Sequence, residues 1–335
     1  MKWFNLIALL CTILLFCSCK NEKNQVSTDF PETKELEILT MMGLDSIHAR
    51  YPRMRIDGGY CCIADFDAYD CFFYLYTFPE LKYLKSFGRK GHAQSELTML
   101  TDFDFKNGVV SALCGADRVI KLYNAISTQD EVSVIHYDKT MDYSAISDNG
   151  NGCLYTYAME GKNRIMMFDY QGNLLARRLP LPSAIEDDMG FNANYLYQSV
   201  IYSTPEYFVS ATIAGERIEI MENGTNSAKV IMGNLGAPTM YEITFNGMTA
   251  QALRYTTYVD LFVHDNIYGL YMGDDSRNKE NNEHSIRMFA LNGASMRKYM
   301  IPNGIEPNSI YVDEDHDEMY LLVPDSEKPV WKCKM

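Results

Sequence analysis

Carboxylates occur at alternate positions in two neighbouring segments of the chain. ADFDAYD contains Asp65 and Asp67, and TDFDF contains Asp102 and Asp104. Ca²⁺ is a hard cation that prefers several oxygen ligands, so these four side chains predict a calcium site if their strands line one channel. The alternative is that the aspartates close hairpin turns, which is a common use of this side chain. The residues alone leave both interpretations open.

Other catalytic and metal-binding patterns are missing from the sequence. The acidic run VDEDHDE, residues 312–318, is not an EF-hand, because its sixth position lacks glycine and its twelfth, counted from Asp313, is Pro324. The six histidines are scattered, without HExxH or HxxxH spacing, and no GxSxG setting surrounds a serine. We expect no cofactor other than this Ca²⁺. A divalent-cation-dependent hydrolase or lyase of lactonase-like chemistry is the alternative function, and the sequence favours a non-catalytic protein over it.

Tyrosines form a second set of candidate ligand-binding residues. They are concentrated in FNANYLYQSVIYSTPEYF and RYTTYVD. Exposed tyrosine rings stack on sugars or peptides and give a large contact area at low entropic cost, whereas buried rings would pack neighbouring structural units together. The candidates are Tyr195, Tyr197, Tyr202, Tyr255 and Tyr258.

An internal repeat predicts the elements that position these residues. Residues 149–182 contain three strands separated by polar turns, and related strand–turn–strand units recur along the chain. The third strands begin near residues 71, 118, 164, 217, 285 and 330. Repeats of roughly 45 to 50 residues match one four-stranded blade each, so we predict an all-β, six-bladed propeller of antiparallel blades.

The two ends of the chain are expected to close this propeller. The last unit ends too early for a fourth strand, and ELEILT (residues 35–40) has no blade of its own, so we predict that it completes the sixth blade. The propeller domain would then span residues 35–335. The polar segment 273–285 accounts for the longest spacing as an inserted hairpin tip or loop. A two-domain chain divided near residues 180–182 is the structural alternative.

The N-terminus predicts export. Lys2 precedes about a dozen apolar residues, the pattern of a secretory signal, and this stretch is short for a membrane span. Residues 15–19, LFCSC, resemble a bacterial lipobox. The resemblance implies cleavage of a signal peptide at residues 1–18 and lipidation of Cys19, and residues 19–34 would include a flexible tether. An ordinary cleaved signal is the alternative.

Composition limits the partners and the role of the remaining cysteines. A net charge of −14 and a pI near 4.9 argue against nucleic acid, which requires a basic face. The mature chain keeps six cysteines besides Cys19. Their even number permits disulfides in an exported protein, but most lie in apolar strand-like runs and are predicted to be buried free thiols. These six are Cys61, Cys62, Cys71, Cys114, Cys153 and Cys333.

The segment FGRKGHAQSEL, residues 87–97, resembles a glycine-rich signature of Bacteroidota six-bladed propeller lipoproteins in the TolB-like group. Gly88, Gly91 and Glu96 occupy positions of that signature, whereas Ala93-Gln94-Ser95 replaces its Gly-Pro-Gly. In physical terms the two glycines suit a bend between blades. An anion-binding loop with Arg89, Lys90 and His92 is the alternative.

The resemblance implies a propeller in the cell envelope and says little about activity. Taken with the residue patterns, it predicts a lipid-anchored, extracytoplasmic binding or scaffold module, attached to the outer membrane through its lipid. The expected partner is an envelope protein, a peptide or a glycan, bound by loops at one face of the propeller.

Overall fold

The computed structural model describes residues 29–45, 51–128, 131–182, 193–245, 248–278 and 282–335. The predicted signal peptide and the predicted lipidation residue Cys19 lie outside these ranges. Among the described residues, no helix is long and apolar enough to cross a membrane.

The strands form where β-branched and aromatic residues alternate between polar turns. In the third blade, CLYTYA is buried at every position because blades pack against both of its faces. A tight turn follows the next strand, where Asp169 Oδ1 accepts hydrogen bonds from the backbone N–H groups of Gln171 and Asn173 at 3.0 and 2.8 Å. Gly172 adopts φ +85° there, a conformation that favours glycine.

The first three blades are antiparallel and four-stranded. Blade 1 contains β3 (Pro52–Asp57), β4 (Tyr60–Asp65), β5 (Cys71–Thr77) and β6 (Tyr83–Arg89). Blade 2 contains β7 (Asp102–Lys106), β8 (Val109–Cys114), β9 (Val119–Asn124) and β10 (Val132–His136). Blade 3 contains β11 (Tyr143–Asp148), β12 (Cys153–Ala158), β13 (Asn163–Asp169) and β14 (Leu174–Pro180).

The other three blades use the same order with additions. A short helix, α1 (Ala193–Leu196), precedes blade 4, which contains β15 (Ser199–Ser203), β16 (Tyr207–Thr212), β17 (Arg217–Glu222) and β18 (Lys229–Met232). Blade 5 contains β21 (Tyr255–Val263), β22 (Asn266–Asp275), β23 (Ser285–Ala290) and β24 (Ser295–Met300). Blade 6 contains β25 (Ser309–Asp313), a 3₁₀ helix (Glu314–His316), β26 (Glu318–Leu322) and β27 (Val330–Lys334).

The N-terminal strand closes the last blade, as predicted. Strand β2 (Glu37–Met42) pairs antiparallel with β27 and supplies the fourth strand of blade 6. A strand that was not predicted, β1 (Glu32–Glu35), pairs parallel with β24 and makes blade 5 five-stranded. It falls in the segment predicted as tether. Its position is fixed by the Glu32–Arg297 ion pair at 2.5 Å and by Phe30, whose ring packs edge-on against Phe289.

An inserted hairpin explains most of the long fifth spacing. Strands β19 (Met240–Phe245) and β20 (Met248–Leu253) form a separate two-stranded sheet between blades 4 and 5. The prediction that segment 273–285 holds the insertion was therefore incomplete. That segment begins within β22, which is ten residues long, and continues into the connection between β22 and β23.

The innermost strands of neighbouring blades contact one another around the complete ring. Side chains and backbone connect them across each interface. For example, Met54 N donates to Ser309 Oγ at 3.0 Å between blades 1 and 6, and Thr257 N donates to the carbonyl of Ile213 at 2.7 Å between blades 4 and 5. The six inner strands, β3, β7, β11, β15, β21 and β25, enclose the central channel.

The six described cysteines are free and buried, as the sequence predicted for most of them. Burial raises the pKa of Cys153 to about 11 and that of Cys333 to about 12, so these thiols remain protonated at neutral pH. They act as small apolar side chains within the blades.

Candidate functional site

All six blades contribute residues to one cavity, which we call the channel mouth. It lies where the inner strands end and turn into the second strands, and its volume is about 620 Å³. That volume is within the range of ligand pockets in proteins. The residues that line the mouth include Asp57, Lys106, Asn107, Gly150, Tyr202, Glu206, Phe262, His264, Asp265 and Tyr311.

Aromatic side chains form one wall of the mouth. The Tyr202 and Phe262 rings meet edge-on with centroids 5.5 Å apart, and the Phe262 and Tyr311 rings meet in the same way at 5.1 Å. Three successive blades, 4, 5 and 6, supply these rings. Edge-to-face packing holds them in fixed orientations. Tyr202 and Phe262 are only 4% and 7% exposed and Tyr311 is partly buried, so a limited part of each ring faces the cavity. This arrangement suits ligands with both apolar faces and hydrogen-bonding groups, such as sugars or peptides.

Lys106 places a positive charge against this wall. Its Nζ donates to Tyr202 Oη at 2.8 Å and lies 4.7 Å from the centre of the Tyr202 ring. Burial lowers the pKa of Lys106, but the Tyr202 and Asp104 oxygens outweigh burial and raise the pKa above its usual value. Lys106 is therefore a cation at neutral pH, held by the same tyrosine that a ligand would contact.

Hydrogen bonds between turns hold the rim on the side of blades 1 to 3. Asp57 Oδ2 accepts from Asn107 N at 2.7 Å, which joins blade 1 to blade 2. The Asn107 side chain donates to the Gly150 carbonyl at 2.7 Å, which joins blade 2 to blade 3. The turns are thus connected to one another, and the rim is a preorganised surface rather than a set of independent loops.

On the opposite side of the rim, Glu314 of blade 6 reaches the first turn of blade 5. Its carboxylate accepts from Asp265 N at 3.2 Å and from Asn266 Nδ2 at 3.1 Å, and His264 Nδ1 lies 3.2 Å from Glu314 Oε2. Burial raises the pKa of Glu314, but hydrogen bonds from Asn266, Tyr268 and His264 outweigh burial, so the pKa lies below its usual value. Glu314 is therefore ionised at neutral pH.

Arg55 lies in the channel between two carboxylates. The guanidinium makes two contacts of 3.0 Å with the carboxylate of Asp260, and its Nε lies 3.7 Å from Asp104. Asp260 also accepts from Ile310 N at 2.9 Å. A smaller cavity of about 230 Å³, lined in part by Arg53 and Asp102, lies where the inner strands begin. Arg55 of blade 1 thus contacts carboxylates from the inner strands of blades 2 and 5 across the channel.

The predicted calcium ligands lie in two settings. Asp102 Oδ2 accepts from Ile146 N at 2.9 Å, and Asp104 Oδ2 accepts from Asp148 N at 2.8 Å, so both join blade 2 to blade 3. Asp65 Oδ1 instead accepts from Asp67 N at 3.1 Å in a turn. Burial raises the pKa of Asp102, although Arg53 and Arg55 oppose this effect. Among the described residues, no three of these four carboxylates bring their oxygens within 4.8 Å of one another, and calcium at these residues stays a prediction.

The predicted tyrosines do not form one surface. Tyr202 lines the mouth. Tyr197 and Tyr258 are buried, the first beside Arg164 and the second edge-on to Tyr271. Tyr195 lies on helix α1, partly exposed, and Tyr255 lies under the guanidinium of Arg254 at 4.7 Å. The five tyrosines therefore share no common surface to which a ligand could bind. Tyr202 is the one among them that lines the mouth.

Several residues at the mouth or on its rim were missed from the sequence, above all Lys106, Phe262, His264, Glu314 and Tyr311. Each lies within two residues of the end of an inner strand. The repeat gives equivalent positions in all six units, so aligning the ends of the inner strands would have found them. No short sequence motif contains them, because they come from different blades.

The glycine-rich signature forms a structured loop. Gly88 adopts φ +66°, and a Cβ there would approach the Phe73 ring to 2.7 Å. A Cβ on Gly91 would collide with the carboxylate of Glu96, which accepts from Ala93 N at 2.9 Å. Leu97, the last residue of this segment, is fully buried, whereas Met99 just after it is 47% exposed.

The comparisons with known proteins agree with this architecture. Residues 29–315 match a family model described as TolB-like 6-blade propeller-like. A Bacteroides vulgatus member of the DUF4221 family has a similar structure, with a TM-score of 0.62 and 10% sequence identity over 90% of this chain and 98% of that one. A Bacteroides fragilis "Putative exported protein" gives a TM-score of 0.57 and 14% identity over 92% and 98% of the two chains.

At these identities the solved structures show the fold alone. The WD40 domain of Neurospora crassa Pan2 is also similar, with a TM-score of 0.50 and 14% identity over 91% of this chain and 97% of that one. No curated protein matches the sequence. The family model spans most of the chain and fits its six blades, so the chain belongs to the TolB-like six-bladed propeller family.

Proposed function

We propose that this protein is an extracytoplasmic, lipid-anchored binding module and that the channel mouth binds a glycan or peptide segment of another envelope component. The observation that carries the proposal is the cavity of about 620 Å³ with an aromatic wall and a hydrogen-bonded polar rim, built by all six blades. A cavity of this size accepts a short chain segment rather than a whole protein surface.

Charge narrows the class of ligand. Asp57, Glu206 and Asp265 line the mouth with negative charge, and Lys106 is the cation that lines it together with them. Strongly acidic ligands are therefore disfavoured by repulsion, and neutral or basic ligands are favoured. The net charge of −14 on the whole chain acts in the same direction.

Binding is supported over the hydrolase or lyase alternative by the state of the channel carboxylates. Catalysis with a divalent cation would need Asp102 and Asp104 to hold that cation. In the structure both accept backbone hydrogen bonds from blade 3. The positive charges of Arg53, 3.4 Å from Asp102, and of Arg55, 3.7 Å from Asp104, oppose a cation there. These carboxylates already have a structural use.

The location rests on the N-terminal sequence and on one relative. The lipobox-like residues 15–19 support lipidation of Cys19, and the Bacteroides fragilis neighbour carries the description of an exported protein. We place the protein at the outer membrane. Mass spectrometry of the mature N-terminus tests this: a diacylglyceryl group on Cys19 is expected, and an unmodified thiol or a different cleavage position contradicts it.

Calorimetric titration with panels of neutral oligosaccharides and short peptides tests the mouth. We expect saturable binding that is strongly weakened by Tyr311→Leu and altered by Tyr202→Phe, which keeps the ring but removes the partner of Lys106. Tyr69→Ala is the control, because Tyr69 is 97% exposed and does not line the mouth. Binding that both mouth variants leave unchanged, or no binding by any member of either panel, contradicts the proposal.

A further inference from the structure

Three side chains that can bind a metal ion meet at the rim of the mouth. They are His264 and Asp265, in the turn after β21 of blade 5, and Glu314, in the 3₁₀ helix of blade 6. One ligand atom of each lies within 4.8 Å of the other two. Among the residues that the structure describes, no other group of three or more histidine, cysteine or acidic side chains meets this condition.

The spacing of these atoms matches a small first-row metal ion. His264 Nδ1 lies 3.2 Å from Glu314 Oε2 and 3.9 Å from Asp265 Oδ1. Bonds of about 2.0–2.1 Å in a tetrahedral site place neighbouring ligand atoms about 3.3 Å apart. The histidine–glutamate distance already has this value, and the histidine–aspartate distance needs a small rotation of the exposed Asp265 side chain.

Glu314 is already held in place for such a role. Asp265 N and Asn266 Nδ2 donate to its two carboxylate oxygens, and its side chain is only 13% exposed. Hydrogen-bond donors of this kind orient a ligating carboxylate before the metal arrives. The side chains of His264 and Asp265 are 62% and 85% exposed, so both can turn toward an ion without disturbing the core.

The ligand types select the metal. One imidazole nitrogen with two carboxylates suits Zn²⁺ and related first-row ions. Ca²⁺ prefers six to eight oxygens, and Mg²⁺ prefers an octahedral oxygen shell. The negative charge of the mouth, with Asp57 and Glu206 on the same cavity, adds attraction for any cation.

We propose that His264, Asp265 and Glu314 form a Zn²⁺-type site that joins blades 5 and 6 at the channel mouth. Three protein ligands leave at least one coordination position for water or for a group of a bound ligand. Because His264 and Asp265 line the mouth, that position adjoins the cavity. The site does not depend on the identity of the ligand proposed above, and it is separate from the carboxylates Asp102 and Asp104.

Calorimetry on the purified, untagged and EDTA-treated protein tests the site, with ZnCl₂, CaCl₂ and MgCl₂ as the probes. We expect one Zn²⁺ per chain with micromolar affinity and much weaker binding of Ca²⁺ and Mg²⁺. His264→Ala and Glu314→Gln should each reduce Zn²⁺ affinity about tenfold or more. His316→Ala is the matched control, since His316 lies in the same 3₁₀ helix but contacts Asp313, and it should leave the affinity unchanged.

Two further measurements separate the metal from a structural contact. The melting temperature should rise with Zn²⁺ in the parent protein and in His316→Ala, but not in His264→Ala. Co²⁺ substituted for Zn²⁺ should give a visible absorption spectrum that His264→Ala removes. Absence of saturable Zn²⁺ binding overturns the proposal and leaves the three residues as a contact between blades. Equal loss in His316→Ala, or no loss in His264→Ala, also overturns it.

Discussion

Glu219 lies between two arginines in the interface of blades 3 and 4, and its replacement tests whether buried ion pairs hold the blades together. Arg164 of blade 3 makes two contacts of 2.8 Å with the Glu219 carboxylate, and Arg217 makes one of 3.0 Å. The three side chains are 1%, 4% and 8% exposed for Arg164, Glu219 and Arg217. Glu219→Gln preserves the size of the side chain while removing its charge.

The expected loss can be worked out from this geometry. Removing one partner of a buried ion pair costs about 3–5 kcal/mol, because the remaining charge is left in a medium that solvates it poorly. Unfolding entropy near 2.1 cal/mol/K per residue gives about 0.6 kcal/mol/K for a folded part of about 300 residues. Dividing the first figure by the second predicts a fall in melting temperature of about 5–8 °C.

Circular dichroism melts at neutral pH measure this difference. Glu222→Gln is the matched control, because Glu222 lies on the same strand, β17, and is exposed. It should shift the melting temperature by no more than about 1 °C. If Glu219→Gln melts within the same narrow interval as the parent protein, the ion pair contributes little to the interface and the reasoning above is wrong.

Three other predictions concern the pH dependence of stability, the glycine signature and the ion pair between Arg55 and Asp260 in the channel. The pKa of Glu219 lies below its usual value, since burial raises it but Arg164 and Arg217 outweigh burial. Its contribution to stability is therefore present above pH about 4.3 and is lost as the pH falls further, so urea unfolding should show the difference between the parent and Glu219→Gln shrinking from pH 7 to pH 3; a constant difference contradicts this. Gly88→Ala should destabilise by about 2–4 kcal/mol, from backbone strain and overlap with Phe73. Gly59→Ala, also at positive φ but in open space, should cost only about 1–2 kcal/mol, and equal urea midpoints would exclude the overlap. Asp260→Asn should cost about 3 kcal/mol in urea unfolding by weakening the hold on Arg55, and an unchanged midpoint would show that Asp104 suffices.

The strands of the repeat were predictable because local chemistry determines them. In blade 3 the three strands predicted within residues 149–182 are all observed, as Cys153–Ala158, Asn163–Asp169 and Leu174–Pro180. Alternating strand-forming residues and turns such as the one capped by Asp169 act within a few positions of sequence. Such signals do not depend on the rest of the fold.

The elements that were missed depend on distant partners. Strand β1 has the sequence ETKE, which is polar and carries no strand signal of its own. It forms because Arg297 and the exposed edge of β24 lie beside it. The inserted hairpin did have a local signal, since Asn246-Gly247 between strand-forming residues is typical of a two-residue hairpin turn. The spacing of the repeat instead favoured segment 273–285 as the insertion.

The channel carboxylates explain why acidic residues alone could not locate a site. Asp102, Asp104 and Asp260 belong to inner strands of two different blades, and each accepts a backbone hydrogen bond from the inner strand of the following blade. The carboxylate thereby satisfies an N–H group that would otherwise be buried without a partner. Aspartates are expected at such positions for the stability of the ring, whether or not a ligand exists.

In this propeller, side chains that are free to contact a ligand lie beyond the ends of the inner strands. Along the inner strands, polar side chains form hydrogen bonds and ion pairs between blades, as Arg55 does with Asp260. Beyond the ends of these strands there is no sheet hydrogen bonding to complete, and side chains such as His264 and Asp265 are exposed next to the cavity. Function in this chain is therefore to be sought at the turns that follow the inner strands, where six blades bring residues together that lie far apart in sequence.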